Sequence, residues 1–123
     1  EWFGVKQIIF SPDSVDRFNT KFLQSCMGSI FRVTLLYIVY KACRNLTMDL
    51  PWWGASLSGK SINDYIPSLP GVLVMGNEGS GIRPEVEILL DEKLKIPKNN
   101  NADTESLNVS VATGILLSKL TGF

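Results

Sequence analysis

The chain has no histidine and only two cysteines, Cys26 and Cys43. A Cys/His metal arrangement is thereby excluded, and two cysteines do not make a disulfide framework. Both read instead as small apolar core residues. Net charge is missing as well: twelve Lys and Arg offset twelve Asp and Glu. No overall field therefore concentrates a polyanion, and any contact with nucleic acid falls to a local surface. Long hydrophobic runs are also absent. The most extended, Val33 to Tyr40, is closed by Arg32 and Lys41, far short of the roughly 20 residues that span a membrane. No secretory signal is visible, so the sequence reads as that of a cytoplasmic protein in a reducing compartment, with no membrane partner and no metal.

What is present is an ordinary globular composition, with 45% hydrophobic and 20% charged residues in 123 positions, enough for one domain with a real core. The first residue is Glu1, and Trp2-Phe3-Gly4-Val5 begins in mid-pattern, as expected of a sequence whose start lies further upstream.

Val5 to Phe10 reads as a buried strand stopped by the turn chemistry of Ser11-Pro12-Asp13-Ser14. From Asn19, the apolar residues Phe22, Leu23, Cys26, Met27 and Ile30 recur at helical spacing. On periodicity alone Leu36 to Leu46 reads as helix or strand; the single stripe of Leu36, Tyr40 and Cys43 predicts a helix. Strands are expected at Trp52 to Leu57, at Val72 to Met75 after a loop bracketed by Pro67 and Pro70, and at Leu94 to Pro97. Pro84 suits a first helical position, with Glu85 and Glu87 in the first turn and the helix ending near Leu90. Lys98 to Thr104 is a polar loop, and Leu107, Val111, Ala112, Ile115, Leu116 and Leu120 mark an amphipathic last helix that Ser106 can cap. Lys93, Lys95 and Lys98 read as a solvated strand edge.

Alternating strands and helices predict an α/β fold with a mainly parallel sheet flanked by helices, in which ligands collect at the carboxyl ends of strands. Two loops lie there. Gly76 to Gly81 is glycine-rich, so its backbone can approach a ligand without interference from Cβ atoms. It matches neither G-x-G-x-x-G nor the P-loop pattern, which disfavours phosphate cradling. Taken alone, the turn reads as a tight strand-to-helix connection in which Asn77 and Glu78 satisfy local backbone groups, and Ser106 as no more than a cap.

Taken together, the order "LVMGNEGSGI", "KIP", "ESLNVSVATGILLS" resembles the SpoU (TrmH-type) branch of the SPOUT RNA methyltransferases. Those enzymes carry G-N-E-G-x-G, then a strand ending in I-P, then S-L-N-V-S-V-A. Upstream, "QSCMGSIFRV" resembles their A-S-x-G-x-x-F-R segment. The resemblance spans nearly the whole chain. It implies a C-terminal trefoil knot and an S-adenosylmethionine-dependent RNA 2′-O-methyltransferase that modifies a ribose of rRNA or tRNA as a homodimer. By motif match, Gly76, Asn77, Ile96 and Leu107 would hold the cofactor, and Glu78, Ser106 and Asn108 would serve the chemistry. Arg32 would face RNA phosphate or the site, or form a surface or partner-subunit salt bridge. Trp52, Trp53, Phe31 and Tyr37 are candidate interface anchors or core residues. The same resemblance puts an N-x-G-x-x-x-R motif, whose arginine assists deprotonation of the hydroxyl, ahead of the segment matching Phe3-Gly4-Val5, and marks the loop from Lys98 to Thr104 as long for the family. A module that binds S-adenosylmethionine or RNA without catalysis fits the same residues.

Overall fold

The computed structural model describes residues 1–67 and 70–123; the loop expected between Pro67 and Pro70 thus falls largely outside the described residues. Two compact units are formed, Glu1–Thr47 and Met48–Phe123.

In the first unit, β1 (Gln7–Phe10) and β2 (Thr34–Tyr37) pair in parallel, with Gln7 opposite Thr34 and Phe10 opposite Tyr37. The strand expected at Val5 to Phe10 is present, but it is not buried: Ile8 and Ile9 are 41% and 37% exposed. A two-stranded sheet offers too little surface to cover its own side chains. Between the strands runs α1 (Thr20–Ser25), capped by Asn19, whose Oδ1 accepts from the backbone N–H groups of Lys21 and Phe22. The helical face foreseen as far as Ile30 stops at Ser25, because Met27 and Gly28 both take left-handed φ values of 46° and 84°. Glycine adopts that region without steric penalty. Ile30 then lies in a single 3-10 turn, Ser29–Phe31. The segment expected as one helix from Leu36 to Leu46 is divided. Leu36 and Tyr37 belong to β2, and α2 covers Tyr40–Leu46. The stripe of Leu36, Tyr40 and Cys43 was ambiguous between helix and strand, and pairing with β1 decided its first part. Cys43 is buried as expected, whereas Cys26 is only half-buried and donates its thiol to the Leu23 carbonyl.

In the second unit, β3 (Trp52–Ser61), β4 (Val72–Val74) and β5 (Glu92–Lys95) form a parallel sheet in the order β4-β3-β5. The core is a cluster of Trp53, Ile62, Leu94, Leu116 and Leu120, with Leu73, Met75 and Ile96 packed against it. Trp52 and Trp53 are 3% and 2% exposed, so both are core residues of this unit rather than exposed anchors. The indole N–H of Trp53 finds the Tyr65 hydroxyl at 2.6 Å, which satisfies its polar edge inside the core. Leu116 and Leu120 come from α4 (Val109–Thr121). Ahead of β5, α3 is a single turn at Pro84–Glu87, shorter than the helix foreseen to Leu90, with Pro at its start as expected. No helix among the described residues is long and apolar enough to cross a membrane.

Candidate functional site at the carboxyl ends of the parallel strands

Val74 and Lys93 both lie level with Gly54 of the central strand. Because the strands are parallel, Gly76 and Ile96 leave the sheet at the same end, separated by the width of β3, about 10 Å at ordinary strand spacing. Strand order reverses direction across β3, since β4 lies on one side and β5 on the other. Open α/β sheets bind ligands in such crevices.

The first wall is the turn after β4. Asn77 and Gly81 form an isolated antiparallel bridge, with reciprocal backbone hydrogen bonds of 3.0 and 2.8 Å. The Asn77 side-chain oxygen accepts from the Gly79 N–H at 2.8 Å, so the turn is held by its own backbone and one amide. A Cβ at Gly76 would stand 2.2 Å from the Gly81 carbonyl carbon; only glycine lets the two limbs of the turn close. Glu78 projects from the exposed tip.

The second wall follows β5. A recess of about 350 Å³ is lined by Leu57, Lys95, Ile96, Pro97, Lys98 and Glu105. Its volume falls at the small end of the range for small-molecule sites. Leu57 was not singled out from the sequence as part of a site. It belongs to an excursion of β3: pairing with β5 shifts between Ala55 and Lys60, and Leu57 is left 78% exposed over the strand ends. The Ser56-Leu57-Ser58-Gly59 composition was the available signal for that bulge. Lys93, expected on a solvated edge, is half-exposed on the edge strand β5 and pairs with Glu87 at 2.5 Å.

The third part is the approach to α4. The helix begins at Val109, and its cap is Asn108, not Ser106. Asn108 Oδ1 accepts from the backbone N–H and the hydroxyl of Ser110 at 2.9 and 2.5 Å. Ser106 and Leu107 precede the cap in exposed, irregular chain directly after Glu105 of the recess. Leu107 therefore falls outside the helix and is 48% exposed, while Val111, about 140° around α4 from Leu116 and about 180° from Leu120, is 51% exposed on the opposite face from these two buried residues.

Arg32 belongs to the first unit. Its guanidinium clasps Glu1 through two contacts, at 2.5 and 3.0 Å, and Ser29 donates to the same carboxylate at 2.6 Å. These bonds hold the Glu1 carboxyl down at about 2, and Glu1 in turn raises the Arg32 guanidinium. Burial pushes the Cys43 thiol up.

The family model described as the SpoU rRNA Methylase family matches residues 1–118. The 23S rRNA (guanosine(2553)-2′-O)-methyltransferase RlmP of Bacillus subtilis is 30% identical over 97% of this chain and 48% of its own length. The tRNA (guanosine(18)-2′-O)-methyltransferase of Aquifex aeolicus is 49% identical over 50% of this chain and 29% of its own length. Among solved structures, the AdoMet-bound rRNA methyltransferase of Sinorhizobium meliloti superposes with a TM-score of 0.86 at 27% identity, over 97% of this chain and 46% of that one. The chain thus spans about half the length, or less, of the curated relatives it matches. With the parallel strand ends, the glycine turn and the family match in agreement, the chain belongs to the SpoU methylase family.

Proposed function

We propose that residues 1–123 form part of the catalytic domain of an RNA 2′-O-methyltransferase that uses S-adenosylmethionine and acts on rRNA or tRNA. The observation that carries this reading is that the Gly76 turn and the Ile96 strand end leave a parallel sheet at the same end, on either side of β3, with a recess of mixed apolar and charged lining beside Ile96. The residues present fit the cofactor. Leu57, Ile96 and Pro97 offer apolar walls for an adenine, and the closed turn at Gly76, where a Cβ would collide with backbone, offers main-chain groups at short range. Gly76, Asn77, Ile96 and Leu107 are the residues assigned to binding.

S-adenosylmethionine, when bound, supplies an electrophilic sulfonium methyl to a ribose 2′-hydroxyl. The chain's own contribution is alignment, the larger share of what such a site can provide. Ser106 and Asn108 stand at the start of α4 to position the ribose, Glu78 orients groups through its charge at the turn tip, and Arg32 meets RNA phosphate once its pairing with Glu1 opens. Motif match further supports threading of the C-terminal unit as a trefoil knot and assembly as a homodimer, and we infer work in the cytoplasm.

Two measurements test the reading. Calorimetry should detect S-adenosylmethionine binding, and Gly76→Val should weaken it at least tenfold. A protein of the relatives' full length should transfer radiolabelled methyl groups to RNA, with the label on ribose. Cofactor binding without transfer by that protein would leave only a binding module.

A further inference from the structure

A second recess, of about 460 Å³, lies in the N-terminal unit and is lined by Pro12, Ser14, Asp16, Arg17, Phe18 and Tyr37. It opens at the carboxyl ends of β1 and β2, beyond Phe10 and at Tyr37. The Arg17 guanidinium carbon lies 5.7 Å from the Phe18 ring centroid and 5.5 Å from that of Tyr37. Both distances are within reach of cation–π attraction. Tyr37 is fixed from two sides: its ring stacks on Phe10 at 5.2 Å, and its hydroxyl donates to the Val15 carbonyl at 2.7 Å. Phe10 is braced in turn by the edge of Phe22 at 6.0 Å. Asp16 Oδ1 accepts from the Phe18 N–H at 2.6 Å, which sets the turn that presents Arg17 and Phe18. Phe18 itself is 70% exposed, a large apolar ring kept at the surface.

We propose that this recess binds one unpaired nucleobase of an RNA substrate, stacked on the Phe18, Arg17 and Tyr37 surface; the proposal rests on the reading of the chain as an RNA methyltransferase. Three features select a base over a phosphate. The guanidinium is engaged with two aromatic faces. The Asp16 carboxylate lies in the same lining and repels an anion. The rings provide the flat apolar area on which every base stacks irrespective of sequence. A carboxylate also accepts hydrogen bonds from the N–H groups on a base edge.

The test measures binding of a short fluorescein-labelled single-stranded RNA to the chain by anisotropy, beside the same oligonucleotide carrying abasic sites. Phe18→Ala should weaken binding of intact RNA by roughly 5- to 100-fold, as stacking losses do, and Phe18→Tyr should restore it. Abasic RNA should bind the wild type weakly and should not distinguish it from Phe18→Ala. Circular dichroism and S-adenosylmethionine calorimetry should be unchanged in Phe18→Ala, which separates this site from the cofactor reading. If intact RNA binds Phe18→Ala as tightly as wild type, or if the wild type binds no RNA, the proposal is wrong. An equal loss with intact and abasic RNA on Arg17→Ala, with Phe18→Ala silent, would mean a phosphate contact and would overturn it too.

Discussion

Asn108 caps α4 through its side-chain oxygen, and the proposed function gives its amide a second task at the reaction site. Substitution can separate them, because aspartate keeps the capping oxygen and adds charge where the helix dipole favours it. Asn108→Asp should melt within a degree or two of wild type yet lose most methyl transfer in the longer protein. Asn108→Ala should lose both, with a stability cost of about 1 kcal/mol read by urea denaturation. Equal transfer by wild type and Asn108→Asp would reduce the residue to a cap.

At the scale of elements, α4 ties the approach to the site to the core, because Leu116 and Leu120 pack into the cluster around Trp53 and Leu94. Leu116 is 1% exposed, whereas Val111 on the same helix is 51% exposed. Leu116→Ala should therefore cost about 2–5 kcal/mol by the lost contacts and the cavity left behind, and Val111→Ala no more than about 0.5 kcal/mol. Cofactor affinity measured on the two variants should follow the same order. Similar unfolding midpoints would mean that α4 does not depend on this packing.

For the molecule as a whole, equal numbers of acidic and basic groups leave no overall field for a polyanion, so the proposed RNA binding would rest on a few local phosphate contacts. The logarithm of the binding constant should fall with the logarithm of salt at a slope of roughly −1 to −2, and Arg32→Ala should reduce that slope by about one. Acid stability has a specific source in the clasp of Glu1 by Arg32 and Ser29. The Glu1 carboxyl is lowered from 4.5 to about 2, so the clasp stabilises fully above about pH 4.5 and is lost as pH falls towards 2. Glu1→Gln should flatten that part of the melting temperature against pH profile, and an unchanged profile would rule the clasp out as a contributor.

Sequence by itself determined the approximate positions of four of the strands, β1, β3, β4 and β5, the parallel α/β class, the glycine turn at Gly76 and, through ordered motifs, the family. These depend on side-chain period and on short local patterns, both of which a linear reading captures. Tertiary structure decided what depends on neighbours distant along the chain. Leu36 and Tyr37 became strand because β1 lies beside them, and α1 ended early at the left-handed pair Met27-Gly28. The cap of α4 is Asn108 rather than Ser106, held by the local bond from Ser110 N–H, while Leu116 and Leu120 found the core. Leu57 joined the recess only because β3 bulges against β5, and Arg17, Phe18 and Tyr37 met only because β1 and β2 end together. A local pattern states what a segment can form; which face it buries, and which loops share an edge, follows from the surface that the rest of the chain presents to it.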